Sequence, residues 1–120
     1  MYAIHPLELA VSCMGAQVDS LMRRGTGDRS QLLLNYTSGR TAVVNVYTNS
    51  ATAFAAAVTT DKSTRLITVA DSTLFIDMAK AILDLFDSGK PSIDRAESLM
   101  IRQILDVAAS ADALKGFVTL

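Results

Sequence analysis

The sequence is poor in the residue types that build disulfides and metal sites. Its 120 residues include one cysteine, Cys13, one histidine, His5, and no tryptophan. One cysteine excludes an internal disulfide framework and any site made of several cysteines, so we expect no metal in this chain. Since unpaired cysteines are mostly small apolar fillers, we expect Cys13 to be buried.

Charge is also sparse and has no bias toward one sign. Charged residues make up 19% of the chain, and the formal net charge is -1. A nucleic-acid-binding protein usually carries a basic stripe that neutralises several phosphates, so no nucleic-acid partner is expected. The N-terminal segment lacks a basic leader before an apolar run, which predicts a cytoplasmic protein.

A long uncharged stretch, residues 41–60, requires a test for membrane insertion. It contains two asparagines and five threonines, which a membrane-spanning helix tolerates poorly. Its β-branched residues favour strands instead, so we expect no membrane partner.

The periodicity of the chain predicts a short helix, then strands, then two helices. The first helix is predicted over Pro6–Met14 and ends at Gly15. Two strand pairs with turn residues between them indicate a largely antiparallel sheet. The predicted strands are residues 17–24, 30–37, 40–48, 52–59 and 64–70, with a short one at 117–120.

After residue 70 the hydrophobic period changes from two to 3.6. One helix is predicted around Phe75–Phe86, capped by Asp71 or Ser72 and closed by Gly89, and a second begins near Asp94. The predicted buried stripe of the second helix is Ala96, Met100, Ile104, Val107, Ala108, Ala111 and Leu114. The expected fold is therefore α+β, a single domain over residues 1–120 with helices on one face of an open sheet of about five strands.

The other face of that sheet is expected to contact protein. In the strand at 41–48, one side carries Thr41, Val43, Asn45 and Tyr47, and neither side has a charge. Exposed to water, such a face would be an unusually large apolar patch. We therefore predict a homo-oligomer through this face, most simply a symmetric dimer.

The two ends of the chain resemble a known family. The tail GKPSIDRAESLMIRQILDVAASADALKGFVTL is similar to the end of the glucose–fructose oxidoreductase/inositol dehydrogenase (Gfo/Idh/MocA) family, with its G-x-P turn at Gly89–Pro91. The head YAIHPLELAVSCMG resembles the family's Y-G-x-H-x-x-E helix, and TTDKSTRLITV resembles a strand pair joined by a G-x-K-G turn. Together these segments span nearly the whole chain in matching order.

The resemblance implies a function. Family members join an N-terminal Rossmann domain, which binds NAD or NADP, to a C-terminal domain that supplies substrate contacts and the oligomer interface. This chain resembles the C-terminal domain alone, since it has no G-x-G-x-x-G after a strand. No cofactor is therefore expected in the chain itself, which should be inactive in isolation. The implied whole is an NAD(P)-dependent oxidoreductase acting on a sugar, polyol or related small molecule.

The resemblance also implies site residues. His5 is the candidate catalytic and substrate-binding residue, because an imidazole can relay a proton near neutral pH. Many relatives have an Asp-x-x-x-His pair here, and the acid position falls on Met1. Tyr2 is the second candidate substrate contact, with packing as its alternative, and Glu8 either orients the His5 ring or, as we favour, is simply solvated.

Three further interpretations stay open at this point. His5 could cap or pack at the start of its helix. Arg23 and Arg24 could meet an anionic substrate group, but paired surface arginines rarely do, and we assign them no role. The whole chain could instead be a non-catalytic, self-associating α+β interaction module.

Overall fold

A computed structural model of the chain describes residues 3–69 and 73–120. The chain forms two compact units. The first contains the residues up to Thr52 together with Ala96–Leu120, and the second contains Ala53–Arg95. That these residues make up a single domain stays a prediction.

The elements follow the predicted order, and the α+β class is confirmed. They are α1 (Ile4–Met14), β1 (Val18–Arg24), β2 (Arg29–Tyr36), β3 (Thr41–Tyr47), β4 (Ala55–Thr59), β5 (Thr64–Thr68), α2 (Leu74–Ser88), α3 (Arg95–Ala109) and β6 (Val118–Thr119), with a 3-10 turn over Asp112–Leu114.

The strands form two separate sheets, whereas one sheet of about five strands was predicted. One antiparallel sheet has the order β3-β2-β1-β6, and a separate hairpin pairs β4 with β5. The chain end, through β6, therefore supplies the fourth strand of the larger sheet. Local alternation cannot encode this choice, because pairing between distant segments depends on tertiary packing.

The first unit packs helices on one face of the four-stranded sheet. Strand β2 alternates regularly, with Leu32 and Leu34 fully buried and their neighbours partly exposed. Leu7 and Val11, one helical turn apart on α1, and Ile104 on α3 belong to the same core cluster. Burial of these side chains, at about 25 cal/mol per Å² of apolar surface, holds the helices on the sheet.

The second unit consists of the β4–β5 hairpin and α2. The Thr60 hydroxyl accepts hydrogen bonds from the backbone N–H groups of Lys62 and Ser63, each at 3.2 Å, which closes the hairpin turn. Helix α2 ends as predicted at Gly89, whose left-handed backbone (φ 67°) suits glycine. No residue of α2 is buried, and Phe75 and Phe86 are each 81% exposed.

Two burial predictions are wrong. Cys13 is exposed, because α1 turns Leu7 and Val11 toward the sheet and Cys13 away from it. In the predicted stripe of the last helix, Ile104 and Ala108 are buried and Met100 and Val107 are partly buried, whereas Ala96, Ala111 and Leu114 are exposed. The helix ends at Ala109 and the chain changes to a 3-10 turn, so Ala113 takes the buried position instead. The predicted cap residues Asp71 and Ser72 lie outside the described residues.

Candidate functional site

The face of the larger sheet opposite the helices carries rows of side chains across three strands. Paired residues in a sheet point to the same side, so the register defines each row. Met22 of β1 pairs with Leu33 of β2, and Leu33 pairs with Val43 of β3. Met22 and Leu33 are partly exposed and Val43 is 59% exposed, so an apolar row crosses the middle of this face.

Neutral polar side chains and two arginines flank the apolar row. On one side the Asn35 amide donates to the Ser20 hydroxyl at 3.3 Å, and on the other the Gln31 amide donates to the Asn45 amide oxygen at 2.8 Å. We call this surface the open face. It comprises Ser20, Met22, Arg24, Arg29, Gln31, Leu33, Asn35, Thr41, Val43, Asn45 and Tyr47.

The charge on the open face is confined to one end. Arg24 lies in a row with Gln31 and Asn45, and Arg29 lies in the outermost row with Tyr47 at the same end, while the row at the opposite end is neutral. An apolar centre bordered by polar groups is the pattern of a protein-contact surface. Because its polar groups partly satisfy one another, covering this face costs less desolvation free energy than covering isolated amides would.

His5 and Glu8 meet at the start of α1. The His5 Nδ1 atom lies 3.0 Å from Glu8 Oε2, and both side chains are about half exposed. A carboxylate only accepts, so Nδ1 carries the hydrogen and Nε2 is the basic nitrogen of the neutral ring. Glu8 therefore orients the ring, and our preference for a merely solvated Glu8 was wrong. The three-residue spacing on a helix was the signal for this contact.

The remaining sequence candidates are only partly placed. Tyr2, and Met1 at the family's acid position, lie outside the described residues. Arg24 is on the open face, and Arg23 is on the opposite side of β1, facing the helices. Sequence reasoning assigned no role to Arg23, although alternation with the buried Leu21 was a signal that it faces the covered side.

Tyr36 is the most buried titratable side chain among the described residues of this unit. It is 3% exposed, its hydroxyl has no hydrogen-bond partner, and the Arg40 guanidinium carbon lies 5.7 Å from its ring centre. Burial raises the pKa of Tyr36 above the ordinary 10.0, and the Arg40 charge opposes this rise. The phenol stays neutral at physiological pH and contributes packing rather than acid–base chemistry.

Within residues 3–69 and 73–120, no three His, Cys, Asp or Glu side chains converge to hold a metal ion. Across the same residues, no helix combines the length and apolar content needed to cross a bilayer.

Comparison of this chain with protein-family models, with curated proteins and with solved structures gave no match. The family resemblance therefore stays a prediction from the sequence.

Proposed function

We propose that this chain is the substrate-side and oligomerisation domain of a two-domain NAD(P)-dependent oxidoreductase that acts on a sugar, polyol or related small molecule. The sequence resemblance supplies the reaction class. The observation that carries the assembly role is the apolar row Met22–Leu33–Val43 across the open face. The small-molecule substrate and a cytoplasmic location belong to the same proposal.

A second copy of this chain is the occupant that fits the open face best. In a two-fold arrangement of two open faces, the central apolar row of one copy meets that of the other. Arg24 and Arg29 both lie at one end of the face, so a dimer in which the strands of the two copies run in opposite directions keeps the arginines of one copy away from those of the other. The polar rows then form the rim around the apolar contact.

Analytical ultracentrifugation of the chain tests this assembly. The wild-type chain should sediment as a dimer, and Val43→Glu as a monomer, because it places an unpaired charge within the contact. A cost of about 3 kcal/mol corresponds to association weakened by about 100-fold. Gln103→Glu, on the exposed side of α3, is the matched control and should stay dimeric. A wild-type chain that is monomeric at high concentration would contradict the proposal.

The catalytic part of the proposal centres on His5. Nicotinamide held by the other domain would supply the hydride acceptor for oxidation of a substrate alcohol, and the hydroxyl proton would pass to a base. With Nδ1 bonded to Glu8, the Nε2 atom of His5 is the nitrogen that takes this proton. Tyr2 stays a proposed substrate contact. No cofactor-binding residue is assigned to this chain.

The enzyme role is tested on the two-domain protein. The coding sequence upstream of the Met1 codon should encode a Rossmann fingerprint within about 120–150 residues, the size of one domain. In that protein, His5→Asn should lower kcat/KM by about 10²–10⁴-fold. Glu8→Gln should have a smaller effect. Unchanged turnover in His5→Asn would contradict the role of this residue.

A specific observation favours the non-catalytic module as a second candidate. The second unit exposes large apolar side chains, with Leu66 at 84% and Phe75 and Phe86 at 81% each. Large exposed apolar side chains of this kind suit a protein that binds to itself or to partners. An in-frame stop codon directly upstream of Met1 would favour this module, whereas a Rossmann fingerprint there would favour the enzyme.

A further inference from the structure

Strand β3 is an edge of the larger sheet and lacks the features that usually protect an edge strand. It is the first strand in the order β3-β2-β1-β6 and pairs with β2 in unbroken register over seven residues. Edge strands are commonly protected by short length, charges, prolines or bulges. The opposite edge, β6, is two residues long, whereas Thr41–Tyr47 is long and contains no charge, proline or glycine. Strand β3 is therefore open to a further strand.

The hydrogen bonds between β3 and β2 determine which backbone groups point outward. Just beyond the two ends of the ladder, the Tyr36 N–H donates to the Arg40 carbonyl at 2.9 Å and the Thr48 N–H donates to the Asp28 carbonyl at 3.1 Å. Hydrogen-bonded pairs alternate along an antiparallel ladder, so the even-numbered residues of β3 bond to β2. The backbone groups of the odd-numbered residues therefore point to the free edge. These residues are Thr41, Val43, Asn45 and Tyr47.

The outward backbone groups of β3 are accessible. All four odd-numbered residues are exposed. Among residues 3–69 and 73–120, the backbone hydrogen bonds formed outside helices and sheet ladders include none of these four residues. A row of donors and acceptors at this spacing is what an added β-strand recognises.

We propose that β3 pairs antiparallel with β3 of a second copy of this chain, with Val44 on the two-fold axis. In this register Val43 lies opposite Asn45 of the second copy, and Thr41 lies opposite Tyr47 of the second copy. Every outward-pointing residue then has an outward-pointing partner. The contact forms up to about eight backbone hydrogen bonds, two in each hydrogen-bonded pair.

The side chains of β3 make a second copy of itself a suitable partner. On the covered side, Val44 meets Val44 of the second copy, which is a β-branched pair. On the open face, Thr41 meets Tyr47 of the second copy, which places an aromatic ring beside a β-branched side chain. Because β3 carries no charge, the pairing brings no like charges together within the strands.

This edge contact differs from the pairing of two open faces. Its two-fold axis is perpendicular to the sheet, whereas the axis that relates two stacked open faces runs parallel to the sheets. One copy can therefore form both contacts, and the edge contact joins two dimers. It buries less apolar surface than the open face does, so we expect it to form at a higher protein concentration. The edge contact depends on the backbone of β3 and not on the oxidoreductase proposal.

Amide hydrogen exchange of the wild-type chain, measured by NMR at a low and a high protein concentration, tests the edge contact. The amides of Val44 and Val46, which bond to β2, should exchange slowly at both concentrations. The amides of Val43 and Asn45 should exchange fast in the monomer and about tenfold more slowly once about nine in ten chains are paired. Stacking of open faces supplies no backbone acceptor to these amides, so failure of the open-face dimer would leave this result unchanged.

The register has a separate NMR signature. In a mixture of labelled and unlabelled chains, an isotope-filtered spectrum should show a cross-peak between the Hα atoms of Ala42 and Val46, because a non-hydrogen-bonded pair brings its Cα atoms within about 4.5 Å. Within one extended strand these residues lie about 13 Å apart, so the cross-peak can arise only between copies. Its absence when Val43 and Asn45 are protected would overturn the proposed register.

Two substitutions at Asn45 separate the edge backbone from the side chain. Asn45→Pro removes one outward N–H and leaves the bonds to β2 in place, so it should lose the association step that sedimentation shows at high concentration. Asn45→Val keeps the N–H and should retain that step. Full association of Asn45→Pro would contradict the proposal.

The wild-type exchange measurement decides the proposal even if a variant fails to fold. Fast exchange of Val43 and Asn45 at the highest protein concentration would overturn it. Slow exchange of these amides in a chain that sediments as a monomer would also overturn it, because another segment of the same chain would then cover the edge.

Discussion

Two adjacent leucines on β2 allow the contributions of the two faces of the larger sheet to stability to be compared directly. Leu32 is 0% exposed and points toward the helices, whereas Leu33 is partly exposed on the open face. Truncation of each to alanine removes the same atoms from the same strand. Strand propensity and backbone effects are therefore matched, and the difference between the variants reports packing alone.

The expected magnitudes differ. Leu32→Ala leaves a cavity in a packed core and should lower the free energy of unfolding by about 3 kcal/mol. For a chain of this size, that corresponds to a fall in Tm of about 10 °C. Leu33→Ala removes partly exposed surface and should cost about 1 kcal/mol in the monomer. In the proposed dimer, Leu33→Ala should also weaken association by about tenfold, since it lies in the central apolar row.

Urea unfolding separates the two effects when it is measured at two protein concentrations. At low concentration, where the chain is monomeric, Leu32→Ala should be much less stable than Leu33→Ala. At high concentration, the wild-type and Leu32→Ala chains should gain stability from association and Leu33→Ala should gain less. Equal losses for both variants at low concentration would refute the assignment of the covered and open faces.

Two smaller predictions concern the phenol of Tyr36 and the loop before β2. Tyr36→Phe should leave the free energy of unfolding unchanged or raise it by up to about 1 kcal/mol in urea unfolding, since the buried hydroxyl has no partner to lose. Burial raises the pKa of Tyr36 above 10.0, so as the pH rises the unfolded chain loses the phenol proton before the folded chain does. The free energy of unfolding of the wild-type chain should therefore fall above pH 10, and Tyr36→Phe should lack this part of the fall. Gly25→Ala should lower the thermal midpoint more than Gly27→Ala. Both glycines have positive φ, so both alanines are strained. An added Cβ at Gly25 would also lie 2.5 Å from the Arg29 carbonyl oxygen, whereas one at Gly27 would meet nothing within 4 Å. Equal stability of the two glycine variants would contradict this account of the loop.

The order of the elements and the fold class could be read from the sequence because both depend on local patterns. The change of hydrophobic period after residue 70 marked the passage from strands to helices, and Gly15 and Gly89 marked helix ends. The alternation in β3 likewise indicated which side chains share a face. Of the candidate site, local reasoning found His5, and a firmer use of helical spacing would have found its bond to Glu8.

Tertiary structure decided what local patterns could not. The pairing of β6 with β1, and so the division into a four-stranded sheet and a hairpin, joins residues about a hundred positions apart. The burial of Arg23, with its unpaired Nε atom, follows from the register of β1 on β2 and from the helices above them. Segments of the chain encode their own conformation, but the free energy of a non-local contact depends on every element packed around it.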